Sequence, residues 1–107
     1  MKVPIDYKMQ MMLTMMPTVF DALAGGAEDG DVTADDVVDF FAMSVAAIID
    51  NDTRLKTPRD LRMGAETVAK RMEGWAKEFR KGQDETGVSW LTVAMAGARP
   101  DAATTVQ

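Results

Sequence analysis

Residues 33–50 read TADDVVDFFAMSVAAIID, and this stretch decides the fold. Thr33 followed by Asp36 is a capping-box variant. The threonine hydroxyl satisfies a backbone N–H that has no partner inside the helix, and the acid three residues on reaches back. Asp35 and Asp36 also complement the positive end of the helix dipole. A helix over 34–50 follows. Between Val37 and Ile49 only Asp39 and Ser44 are not apolar. A helix apolar on nearly every side is covered on nearly every side. The pattern therefore predicts either the central helix of the fold or a helix in a subunit interface.

Downstream, Thr57-Pro58-Arg59-Asp60 is the clearest start signal in the chain, with a capping residue, a proline at the first helical position and an acid at the third. It opens a helix expected to run to residue 81, with Gly82 as its stop. Leu61, Ala65, Val68, Met72, Trp75 and Phe79 recur at alternating steps of four and three, a narrow seam suited to packing along another helix. Glu66–Lys70 and Glu73–Lys77 are i,i+4 pairs on its wet side. A short fourth helix is expected over 85–96, where Trp90, Leu91, Ala94 and Met95 share a helical face. Upstream, residues 4–24 read as a first helix that Pro17 should kink or split, followed by a solvated loop over 25–31.

The reading is an all-α chain, a small helical bundle of three main helices plus a short C-terminal helix. It is assigned as one domain over 1–97 with a tail over 98–107. A length of 107 residues and an apolar fraction of 47% suit a single globular domain.

Composition narrows function by exclusion. The chain contains no histidine and no cysteine. The commonest general base at neutral pH and the thiolate nucleophile are therefore both missing, and a Ser-His-Asp triad cannot be built. Carboxylate, lysine and tyrosine groups are present without a recognisable catalytic arrangement, so a non-enzymatic protein with no cofactor is expected. Lys2, the apolar run 9–20 and Ala22-Leu23-Ala24 imitate a secretion signal, but Asp6, Gln10, Pro17 and Asp21 interrupt it. No stretch approaches the roughly 20 apolar residues of a membrane span. The expected location is the cytoplasm, or a virion assembled there.

Three constellations are candidates for binding. Met9, Met11, Met12, Met15 and Met16 cluster in the first helix. Thioethers can hold Cu(I), but with no histidine or cysteine beside them an adaptable apolar surface is the expectation, and no metal. Met11, Met15 and Phe20 are the candidate apolar contacts. Glu28, Asp29, Asp31, Asp35 and Asp36 form an acidic run. An EF-hand loop started at Asp29 would place Ala34 where glycine belongs and Phe40 where glutamate belongs, so loop solubility and capping explain the acids better than calcium.

The third constellation is a charge asymmetry. Residues 1–53 hold ten acids against two lysines, a net of −8; residues 54–81 hold nine Lys or Arg against four acids, a net of +5. Either the basic helix pairs with the acidic half inside one domain, or it meets the acidic half of another subunit. Asp29, Asp31, Asp35 and Asp36 on one side and Arg62, Lys70, Arg71 and Lys77 on the other are the candidate electrostatic contacts. The net charge of −5 argues against direct nucleic-acid binding.

The function expected from these features is a protein-interaction or assembly subunit, binding itself or a heterologous protein. In style the chain resembles small phage-encoded proteins, both virion components and inhibitors of host machinery. The alternative is accordingly a small acidic inhibitor, anti-defence or antitoxin-like, that occupies a basic site on its target as a nucleic-acid mimic does.

Overall fold

The computed structural model describes residues 2–98, with side chains through Ala96. Among them are four helices and no strand: α1 (Ile5–Gly26), α2 (Ala34–Asp50), α3 (Pro58–Thr86) and α4 (Trp90–Ala98). The all-α class of three main helices and a short C-terminal one is therefore what the structure has. The tail expected from residue 98 lies, beyond that residue, outside the described residues.

Local signals set most boundaries. At α2 the Thr33 hydroxyl accepts from the Asp36 N–H at 3.2 Å, while Asp36 accepts from the Thr33 N–H at 3.3 Å. Thr57 and Asp60 repeat the device at α3, at 3.1 and 3.2 Å, and Asp60 also accepts from the Lys56 N–H. Substituting an N-cap threonine costs about 1 kcal/mol. Thr33→Ala should accordingly destabilise α2 by roughly that amount, seen as earlier loss of helicity in a urea titration followed by circular dichroism.

Two boundary expectations are corrected. Of the kink or split expected at Pro17, the split does not occur: α1 runs through it. Pro17 is buried, and burial of its ring offsets the hydrogen bond its nitrogen cannot donate. Gly82 does not stop α3, which continues to Thr86. The stop is Gly87, whose φ of 80° lies in the left-handed region and whose N–H donates to the Gln83 carbonyl at 2.7 Å. A glycine ends a helix only where the chain takes that conformation, and Gly82 stays helical.

The described residues form two compact units, one of residues 2–32 with 82–98, the other of residues 33–81. In the first, α1 packs against α4. Ala94, in the middle of α4, is 1% exposed, its small side chain allowing close approach. Ser89 caps α4 by accepting from the Thr92 N–H at 3.2 Å.

The second unit holds α2 and most of α3. Asn51 and Asp52 donate back to the carbonyls of Ala47 and Ile49, and Leu55 to that of Asp52, so the chain reverses tightly between the helices. Ile49 and Leu55 come close to α3 at Gly64, where an added β-carbon would stand 3.6 Å from the Ile49 Cγ2 and 3.3 Å from the Leu55 Cδ1. No Cα atom of α2 lies within 8 Å of one of α3; the two helices meet through side chains.

Candidate interaction surface

The spacing of the two helices leaves an apolar groove of about 370 Å³ within the second unit. Its α2 wall is Val38, Phe41, Ala42, Val45, Ala46 and Ile49; its α3 wall is Ala65, Val68, Ala69 and Met72. Both walls follow the three- and four-residue steps of a single helical stripe. No lining side chain carries a hydrogen-bonding group. Small-molecule sites fix their ligands with a few convergent polar groups, and this groove has none. What it can do chemically is accept other apolar side chains.

Of the two places expected for α2, the centre of the fold or a subunit interface, its exposure corrects the first. Val37 is its one buried residue, while Ile48 is 71% and Met43 and Val38 are each 65% exposed. Phe40 is exposed as well and stacks edge-on against Phe41, their centroids 5.4 Å apart. On α3 the predicted seam is likewise open: Leu61, Met72 and Trp75 are exposed, and Val68 and Phe79 half-buried. The Trp75 and Phe79 rings lie 6.4 Å apart. A helix can be apolar nearly all round because something other than its own chain covers it, and periodicity does not distinguish the two cases.

The predicted apolar contacts lie on α1. Met11 and Met15, one turn apart, are exposed, whereas Met9, Met12, Met16 and Phe20 are half-buried. The five methionines thus divide by face, and of the three candidate contacts Met11 and Met15 lie on the exposed one while Phe20 does not. The groove residues were not singled out from sequence as a site. Their signal was present in the stripe Val38, Phe41, Val45, Ile49 and its counterpart Ala65, Val68, Met72.

Among the predicted carboxylates, Asp29 accepts from the Asp31 N–H at 3.0 Å, a local turn, and Asp36 is engaged in the α2 cap. Asp31 and Asp35 are exposed. Arg62, Lys70, Arg71 and Lys77 are all exposed on α3. Of the two expected helical pairs, Lys77 meets Glu73 at 3.0 Å, whereas Glu66 and Lys70 form no ion pair. Within the second unit no ion pair joins the cations of α3 to the carboxylates of α2; the pairs there are Lys77–Glu73 and Arg54–Asp52. Pairing of α2 with α3 inside this unit, as one form of the charge reading expected, is therefore not what the structure has.

Asp52 carries the clearest electrostatic signature. The Arg54 guanidinium donates to it from Nε at 3.0 Å and Nη2 at 2.8 Å, and the Arg54 backbone N–H adds a third bond at 3.0 Å. These bonds favour the charged carboxylate and lower its pKa from 3.8 to about 2. Because the folded value is depressed, whatever the pair contributes is present above the ordinary carboxylate value and is lost as pH falls through about 2. In a carbon-detected NMR titration the Asp52 carboxyl should titrate near that value. Arg54→Ala should move the midpoint upward, short of the ordinary value because the backbone bond survives.

Among the described residues no group of three His, Cys, Asp or Glu side chains could hold a metal ion, and no helix is long and apolar enough to cross a membrane. Comparison with known proteins finds no matching family model, no similar curated protein and no similar solved structure.

Proposed function

We propose that this protein is a non-enzymatic interaction subunit that associates with other copies of itself or enters a larger particle through its apolar helix faces. The observation that carries this reading is the uncovered α2, with its groove against α3. Val38, Met43 and Ile48 are large apolar side chains left in water, and an apolar patch on this scale marks an interaction surface. The absence of histidine and cysteine supports a non-catalytic role. The resemblance in style to phage components makes a virion or other particle a fitting setting.

The alternative, an acidic inhibitor acting on a basic target, rests on Asp29, Asp31, Asp35 and Asp36. Two of these four are engaged locally, in a turn and a helix cap, so the geometry favours the apolar surface. Sedimentation over a concentration series at low salt tests the reading. A mass rising above 11.7 kDa supports self-association. A monomer at high micromolar concentration removes that form and leaves the heterologous one, which recovery of particle proteins in a pull-down from the native host would support and recovery of a nuclease would contradict.

A further inference from the structure

We propose that the groove between α2 and α3 is filled by a second copy of this chain, related by a two-fold axis along the groove, so that α2 of each copy lies against α3 of the other. The inference rests on the self-associating form of the function proposed above and names its surface, symmetry and charge pairing.

The groove calls for apolar side chains, and the same pair of helices supplies them, Val38, Phe41 and Met72 among its lining. An isologous interface requires a surface complementary to itself, and two such helix pairs interlocking into four helices meet that requirement. Charge selects a second copy over an arbitrary apolar partner. Helix α2 carries Asp35, Asp36, Asp39 and Asp50 and no cation, while α3 from residue 58 to 81 carries seven Lys or Arg against four acids. In one chain these two sets form no ion pair, Lys77 being held by Glu73 of its own helix; in the two-fold dimer the acidic helix of each copy runs beside the basic helix of the other, and Lys77 exchanges its partner.

Position along the groove sets the register. Ile49 and Gly64 stand at the same level, where the helices approach. At 1.5 Å per residue, Asp39 and Asp35 lie about 15 and 21 Å from that point along α2, and Arg71 and Lys77 about 10 and 20 Å along α3. An axis along the groove preserves level, so Lys77 of one copy stands level with Asp35 of the other, and Arg71 lies within about 5 Å of the level of Asp39. Asp36 belongs to the helix cap and is left out of the pairing.

The test is a charge exchange at exposed positions. One variant carries Asp35→Lys and Asp39→Lys, the other Arg71→Glu and Lys77→Glu. Each alone brings like charges together at both half-interfaces and should weaken self-association about tenfold or more. Mixed in equal amounts, the two variants restore opposite charge at both half-interfaces, and a heterodimer should form with near wild-type affinity. Its recovery also shows that both variants fold. Association that survives both reversals, or a mixture that does not recover, overturns this pairing while self-association through another surface stands. A wild type that stays monomeric overturns both the pairing and the self-associating reading.

Discussion

Val45→Asp should leave the chain monomeric at concentrations where the wild type associates, with helix content essentially unchanged. Val45 lines the α2 wall of the groove and is only half-buried in the single chain, so in the monomer the carboxylate stays hydrated. Docking of a second copy would strip water from it with no cation among the groove-lining residues to compensate. An unpaired charge buried in this way costs about 3–5 kcal/mol, which is two to four powers of ten in dissociation constant. A two-fold interface meets the substitution twice. Sedimentation shows the loss of mass, and circular dichroism shows that the helices persist. Association unchanged by the substitution would move the interface away from the groove.

Ala94→Asp should have its effect on folding rather than association. Ala94 is the most thoroughly buried side chain described, on a helix packed against α1. A carboxylate there must lose its hydration or force the helices apart, and neither a hydrogen-bonding partner nor free volume is provided. The expected cost is several kcal/mol, a large share of the 5–15 kcal/mol that holds a typical domain together. Urea unfolding followed by Trp90 fluorescence, in a Trp75→Phe background, should show α4 released at much lower denaturant. Ala94→Ser, similar in size and uncharged, should behave far more mildly; equal damage from both would point to a different cause.

The two substitutions separate the two sources of stability in this chain. Helix α1 finds its partner in α4, whereas α2 buries Val37 and little else. In the single chain α2 is held by its cap and by Val37, and since most helical stability comes from packing, whatever fills the groove adds to it. If that is a second copy, dimer formation is linked to folding and the stability of residues 33–81 rises with concentration.

How far this was legible in the sequence follows from the range of the interactions. The caps at Thr33 and Thr57 involve residues three apart, and both were readable to the residue. The end of α3 was not, because Gly82 and Gly87 are chemically identical and only backbone conformation distinguishes them. Pro17 misled because its covalent cost is visible in sequence while its burial is a tertiary fact. Met11 and Met15 were separable by spacing from Met9, Met12 and Met16, but which of the two sets stays exposed depends on what α1 packs against. The largest gap concerned α2. Its all-round apolarity was plain, but composition records that a surface must be covered and not what covers it. The groove itself needs two helices to lie side by side from the level of Gly64 onward, which no local pattern encodes.

Amide hydrogen exchange measured across a range of protein concentrations tests the central claim most directly. Occupancy of the groove by a second copy predicts that protection in residues 34–50 and 58–81 rises with concentration, while α1 and α4 stay as they are. Protection in α2 independent of concentration, or a rise confined to α1, would contradict it.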